Sequence, residues 1–305
     1  MADGNIERET LIRLMTEMRP RLHRYCARMV GSAVDGEDVV QEALTDATVA
    51  FPTAAPIEHP ESWLFRIAHN AALDALRRRR RRAEVEADVD VDLENLSDAS
   101  AAADSHLAAT ASLALLLRLP VVQRSSVVLM DVLGHSLAAT SDILGVSISA
   151  VKAALHRARI RLRTLASLPE EPAPALSAAE IVRLRAYADR FNARDFDALR
   201  NLLAEDVRLD LANRTRLAGR KDVSVYFGRY DEVSDWFFSV GMAEGRPALL
   251  VRNPADAPGT VRYVVLLEWA GDRIALIRDF KYAPYIAESL IFSPLVPLST
   301  RTFMP

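Results

Sequence analysis

Two groups of side chains in this 305-residue sequence are of the types that handle nucleic acid. The first is Trp63-Leu64-Phe65-Arg66-Ile67-Ala68-His69-Asn70, followed by the six arginines Arg77–Arg82. Aromatic rings stack on unpaired bases, His and Asn bond to base edges, and a guanidinium run follows a phosphate backbone. The second lies in 149–163. At helical spacing Ser149, Lys152, Ala153, His156 and Arg157 fall near one face, while Val151, Leu155 and Leu162 turn inward. Outward residues at the start of such a helix read major-groove base edges, and Arg159, Arg161 and Arg163 suit phosphates. A plainer reading stands beside each: Trp63 as core packing, Arg77–Arg82 as a solvated helix end, and the second group as a basic face of an unrelated bundle.

These residues need elements to hold them. Leu11, Leu14, Met15, Met18, Leu22, Tyr25, Cys26 and Met29 recur at spacings of an amphipathic helix, with a kink predicted at Pro20. Asp35-Gly36-Glu37-Asp38 reads as the start of a second helix, ending near Phe51-Pro52. Glu61 opens a third, over 62–82. Segment 83–106 carries eight acidic residues and no Lys or Arg, which is a linker composition. From 119 to 165 several short helices are expected. Leu144-Gly145-Val146 is the tight turn between two of them, and Ser147 or Ser149 can cap the second. Pro169–Pro174 is a proline-stiffened linker. Beyond it, 177–192 and 195–204 look helical, and strands are predicted at 207–211, 236–240, 248–251, 261–269 and 274–280, with a hairpin turn at Gly271-Asp272.

Length alone suggests about two domains. The hydrophobic share of 50% and charged share of 26% are those of a globular chain. One cysteine, Cys26, leaves no intrachain disulfide or cysteine-rich metal site. No run approaches a membrane span, and Met1–Gly4 opens no secretory signal, so a cytoplasmic protein is expected. A net charge of −3 speaks against nucleic acid when taken as one number. Taken by segment it does not, because 118–163 holds seven basic residues against two acidic ones.

In order and separation, Asp35–Ala43 with Trp63–Asn70 and the arginine run resemble region 2 of the extracytoplasmic-function (ECF) sigma factors of the sigma-70 family. Segment 134–159 resembles region 4, a helix-turn-helix. The resemblance covers 8–166. It implies two all-α modules, 1–82 and 107–167, joined by the acidic linker 83–106. It also implies partners: core RNA polymerase, through the β′ clamp helices and β flap, and promoter DNA. Asp38, Gln41 and Glu42, close to one helix face, become the polymerase contacts; ordinary helix-dipole charge explains Asp35, Glu37 and Asp38 but not Glu42. Trp63, Arg66, His69, Asn70, Arg77 and Arg78 become the −10 contacts, with Asn70 reading an extruded base. Ser149, Lys152, Ala153, His156, Arg157 and Arg159 become the −35 contacts. The acidic linker is either a mimic of a phosphate backbone in the polymerase channels or a solubilising tether. Ala139-Thr140 and Ala154 depart from the family, which often has an acidic residue with Ile, and an Arg, at those places.

After a linker at 168–176, the helix pattern with Phe191-Asn192-Ala193-Arg194-Asp195-Phe196-Asp197-Ala198-Leu199 and then Leu202-Leu203-Ala204-Glu205-Asp206-Val207 makes residues 177–290 resemble the SnoaL-like, cystatin-type α+β cone (nuclear transport factor 2-like); 291–305 form a tail. The signature Asn-Pro-Asp-Lys-Leu of one sigma group with such an extension is absent, and Asp279-Phe280-Lys281-Tyr282 stands near the corresponding end. All six histidines precede this domain, so acid–base chemistry there falls to groups such as Asp210, Asp235, Tyr263, Glu268 or Asp279, and no pair stands out by spacing. Trp236, Phe237, Phe238 and Trp269 either line a pocket or pack a core. A regulatory domain in intramolecular contact with the sigma modules is expected rather than an enzyme, with no cofactor, no metal and no membrane, and with a small-molecule ligand left open. The alternative is a ligand-sensing helix-turn-helix regulator that acts without polymerase; a cone-fold enzyme is the second rival.

Overall fold

The computed structural model describes residues 8–54, 57–83, 106–109, 111–167, 176–257 and 259–295, with side chains in the third helix to Arg81. The acidic linker and the proline-rich linker lie outside the described residues. The chain forms two compact units, Met1–Glu170 and Glu171–Pro305. The two helical modules expected from the sequence thus share the first unit.

The first unit is helical: α1 (Arg8–Val30), α2 (Ala33–Ala50), α3 (Pro60–Ala83), α4 (Leu113–Leu117), α5 (Val121–Val127), α6 (Leu137–Leu144) and α7 (Ile148–Ala166). Helix α5 runs on as a π-helical turn, Val128–Val132. One apolar cluster runs through them, from Leu22, Tyr25, Cys26 and Met29 of α1 through Leu64 and Phe65 of α3 to Leu155, Ala158 and Leu162 of α7. Helix α1 passes through Pro20 without ending. Pro20 and Thr16, whose carbonyl the proline cannot bond, both lie on the solvent side, so that carbonyl is not buried without a partner. Helices α1 and α2 cross at Gly36. A Cβ there would stand 2.7 Å from Ala27 Cα, so only glycine permits this approach. Helix α2 begins earlier than Asp35: Ser32 caps it, its Oγ accepting from Asp35 N at 3.0 Å. Helix α7, at 19 residues, is longer than the short helices predicted for this segment, because its apolar face packs continuously on α5 and α6.

The second unit is α+β. Helices α8 (Ala178–Asn192), α9 (Phe196–Asn201) and α10 (Arg220–Asp231) accompany seven strands: β1 (Leu203–Leu211), β2 (Thr215–Ala218), β3 (Phe237–Ala243), β4 (Arg246–Arg252), β5 (Tyr263–Ala270), β6 (Arg273–Asp279) and β7 (Phe292–Pro294). The order is β2-β1-β6-β5-β4-β3-β7. Only β1 and β6 run parallel among these neighbours. The helix expected to reach Ala204 stops at Asn201, because Leu203 already pairs with Ile274 of β6. Strands β2 and β7 and helix α10 have no counterpart in the sequence reading. The first two are short edge strands. Helix α10 is rich in Val and Tyr, which favour strands, and is held by burying Val223, Tyr226, Phe227 and Tyr230. Asn192 fixes the end of α8 to β3, its amide bonding Phe238 O at 2.8 Å and accepting from Phe238 N at 2.9 Å. Phe191 then stacks on Phe238 at 4.0 Å and meets Trp236 at 5.2 Å, so those two rings pack the core. Phe237 and Trp269 are half-buried beneath Arg252 and Arg183.

Candidate nucleic-acid and polymerase surfaces

The helix-turn-helix is built from local signals. Ser136 caps α6 and Ser147 caps α7, each accepting from the amide three residues on. Gly145 ends α6 in the left-handed region at φ 65°, and Ser141 Oγ donates to Val146 O across the turn. Of the two candidate caps, Ser147 is the one used, and its Oγ also meets Ser149 Oγ at 2.9 Å. Helix α7 then exposes Ser149, Lys152, Ala153, His156 and Arg157, and buries Val151, Ala154, Leu155, Ala158, Leu162 and Leu165.

Arg159 is placed differently from the phosphate-facing position expected of it. Its guanidinium makes a two-pronged ion pair with Asp131 at 2.9 and 2.7 Å, tying α7 to the π-helical turn. Asp131 is nearly fully buried in that pair, so Arg159 is bound structurally here. Ala154 and Thr140, where the chain departs from the family, are both buried. An arginine at 154 would point into this module's core. The sequence reading missed Ile148, an aliphatic side chain 46% exposed beside Ser149 at the start of α7.

The arginine helix α3 carries the other group. Arg66, Asn70 and Arg77 are exposed and Trp63 is half-buried. Trp63 and Arg66, with Glu58, His59 and Ser62, line one side of a cleft of about 720 Å³; Ser141, Asp142, Gly145 and Val146 line the other. His69 does not join them. It is buried, and its Nδ1 meets Tyr25 Oη at 2.7 Å. Burial lowers its pKa to about 4, so it is neutral at pH 7. Its distance in sequence from Tyr25 hid this role. Arg77 pairs with Asp74 at 2.7 Å, and Arg79 Nη1 bonds Val30 O at the end of α1.

On the acidic helix, Asp38 and Gln41 are exposed and Glu42 is partly so. Glu42 is held by both terminal nitrogens of Arg78, at 2.8 and 2.6 Å. One expected polymerase contact and one expected DNA contact thus neutralise each other in the free chain. Gln41 accepts from Arg19 at 2.7 Å. Glu37 forms a buried ion pair with Arg19. Since the cap is Ser32, only Asp35 lies in the first turn, and the helix dipole does not account for Glu37 or Asp38.

The family follows from comparison with known proteins. Residues 14–82 match the family model of Sigma-70 region 2, and residues 111–162 that of Sigma-70, region 4. Over 145 residues the chain is 33% identical to the ECF RNA polymerase sigma factor SigM of Mycobacterium tuberculosis, a span of 48% of this chain and 71% of SigM. The solved structure of the ECF sigma factor SigJ of M. tuberculosis covers 91% of this chain and 99% of its own at 20% identity, with a TM-score of 0.36. An NTF-2 like protein of unknown function from Burkholderia xenovorans covers 33% of this chain and 82% of its own at 18% identity, with a TM-score of 0.27. The chain belongs to the ECF sigma factors of RNA polymerase: it is an alternative sigma factor with sigma-70 regions 2 and 4, extended by an α+β domain.

Proposed function

We propose that the chain binds core RNA polymerase through the α2 face at Asp38, Gln41 and Glu42, and reads a promoter with two separate surfaces. Ser149, Lys152, Ala153, His156 and Arg157 face the −35 element, with Ile148 beside them to meet a thymine methyl. Trp63, Arg66, Asn70, Arg77 and Arg78 take the −10 strand as it opens. The observation that carries this reading is the outward face of α7, where four polar or basic residues and Ala153 stand exposed beside a well-capped turn. His69 supports the −10 surface from within, through Tyr25, rather than touching DNA. The α+β domain adjusts the activity of the sigma modules and does no chemistry of its own, and the protein works in the cytoplasm. Among the described residues no single helix is long and apolar enough to cross a membrane.

In-vitro transcription with core polymerase, using the full chain and a form lacking residues 168–305, tests this. Core binding by both forms is expected. Greater output from the shorter form means that the domain restrains, and smaller output means that it assists. Absence of core binding by either form overturns the reading. Charge reversal, Asp38→Lys with Glu42→Lys, is expected to abolish core binding while leaving the helical circular dichroism unchanged; retained binding overturns the contact assignment.

A further inference from the structure

Helix α7 is anchored at two places besides its apolar face. At its start, the left-handed Gly145 and the Ser147 cap fix it to α6. Further along, Arg159 donates to Asp131 from Nε at 2.9 Å and from Nη2 at 2.7 Å. Asp131 belongs to the π-helical turn Val128–Val132, which is closed by Leu133 N on Val128 O at 3.0 Å and followed by the left-handed Gly134. Such a turn takes one residue more than an α-turn, and so aims its side chains differently. Between the two anchors the buried seam of α7 includes Ala154 and Ala158, whose short side chains interlock little with a neighbouring helix. Packing alone therefore holds the roll of the helix loosely. Arg159 lies seven residues after Lys152, on the same flank of the outward face two turns further on.

We propose that Asp131 is a positioning residue for promoter recognition: through Arg159 it sets the tilt and roll of α7, and so which base edges Ser149, Lys152 and His156 reach at the −35 element. The inference rests on the sigma reading above. An α-helix rises about 1.5 Å per residue, so Ser149 lies about 15 Å from the Arg159 anchor. A tilt of about 10° carries Ser149 through about 2.6 Å, enough to break a base-edge hydrogen bond. The two-pronged pair fixes angle as well as distance, because a planar guanidinium meets both carboxylate oxygens in one orientation. The pair also stays closed on DNA. The Asp131 side chain is 3% exposed and that of Arg159 22%. Were Arg159 to leave for a phosphate, a carboxylate would stay enclosed without its cation, and that costs more than one solvated ion contact returns.

The test uses the full chain with core polymerase and a duplex pool randomised at both promoter elements. The unsubstituted chain is expected to enrich a −35 sequence; failure to bind polymerase, or to enrich any such sequence, overturns the sigma reading instead. Affinity for the enriched duplex is then divided by affinity for a duplex scrambled at −35. Asp131→Ala is expected to lower this ratio at least tenfold. Asp131→Asn, of the same size and with one acceptor oxygen kept, is expected to lower it less. A role in stability alone lowers the thermal midpoint but leaves the ratio unchanged, because misfolded chain is lost to both duplexes alike. An unchanged ratio in the folded variants therefore overturns the proposal. The second measurement is the salt dependence of binding to the enriched duplex by Arg159→Met. An unchanged log–log slope is expected; a slope flattened by about 0.9, the mark of one lost phosphate contact, overturns the proposal.

Discussion

The two compact units bury polar groups differently: among the described residues the helical unit encloses carboxylates only in ion pairs with arginine, Glu37 with Arg19 and Asp131 with Arg159, whereas the α+β unit encloses one among hydroxyls and an amide. The helical unit buries cations and imidazoles: Arg19 on Glu37, Arg124 on three carbonyls, His23 on Ala33 O and His69 on Tyr25. The α+β unit buries a carboxyl. Asp279 is fully enclosed, and its Oδ2 accepts from Tyr226 at 2.9 Å and Tyr230 at 2.7 Å while its Oδ1 accepts from Lys281 N at 2.8 Å. A helix leaves its last carbonyls without backbone partners, so a bundle draws cations to helix ends. A sheet satisfies its backbone in the ladder, so a polar side chain buried on its face is left to other side chains and to amides beyond the strand end, here Lys281 N. The helical unit's polar joints therefore tie separable helices, while the Asp279 cluster knits one sheet to one helix.

The largest expected effect falls on that cluster. Asp279→Ala strands two phenol hydroxyls and an amide, and is expected to cost roughly 3–5 kcal/mol of unfolding free energy. Asp279→Asn keeps acceptor oxygen and is expected to cost well under half as much. Denaturant unfolding followed by Trp236 and Trp269 fluorescence measures both; equal costs would mean that hydrogen bonding is not what holds the cluster.

Next comes the buried pair of the helical unit. Glu37→Ala leaves Arg19 charged and largely enclosed, for an expected loss of about 3 kcal/mol. Arg19→Met combined with Glu37→Leu is expected to recover most of it. A double substitution no better than Glu37→Ala would show that loss of the carboxylate beside the enclosed Arg19 is not what costs the stability.

The pH dependence separates the units by sign. Burial moves His23 and His69 from 6.5 to about 4, so the unfolded chain binds protons that the folded helical unit refuses. Their contribution is complete above about pH 6.5 and is lost as pH falls towards 4. Asp279 runs the other way: burial raises its pKa above 3.8 despite its donors, so its contribution is greatest at low pH and declines as pH rises through the folded value. Thermal scans over that range are expected to lower the helical unit's midpoint by roughly 5 °C or more, with no matching fall in the α+β unit. Parallel falls would break the comparison.

The smallest effect is expected at Glu42 and Arg78, whose side chains are 39% and 42% exposed. Glu42→Gln should change stability by about 0.5 kcal/mol or less. It should also raise the free chain's affinity for single-stranded DNA, because Arg78 is released; unchanged DNA affinity would show that the pair does not mask the arginine.

Much of the fold was legible locally. Gly145 carries its role in residue type alone, residue type narrows the cap to Ser147 or Ser149 with the structure using Ser147, and the outward set Ser149, Lys152, Ala153, His156 and Arg157 follows from helical spacing. The tail of α3 and most central strands follow from composition. The errors have a common cause. His69 and Arg159 were assigned to DNA by type, but Tyr25 lies 44 residues from His69 and Asp131 lies 28 from Arg159. Glu37 looked like dipole charge until Arg19, 18 residues away, proved to be its partner. Helix α10 was missed because its tyrosines and valines favour strands when no burial is specified.

Residue order alone determined the modules, the capped turn, the charge of each segment and the family, because these depend on spacing within a few helical turns. Only the tertiary structure decided which charges are spent on each other and that regions 2 and 4 share a core. Burial and pairing depend on residues brought together from distant parts of the chain, and a side chain's type does not reveal whether it meets water, DNA or another side chain.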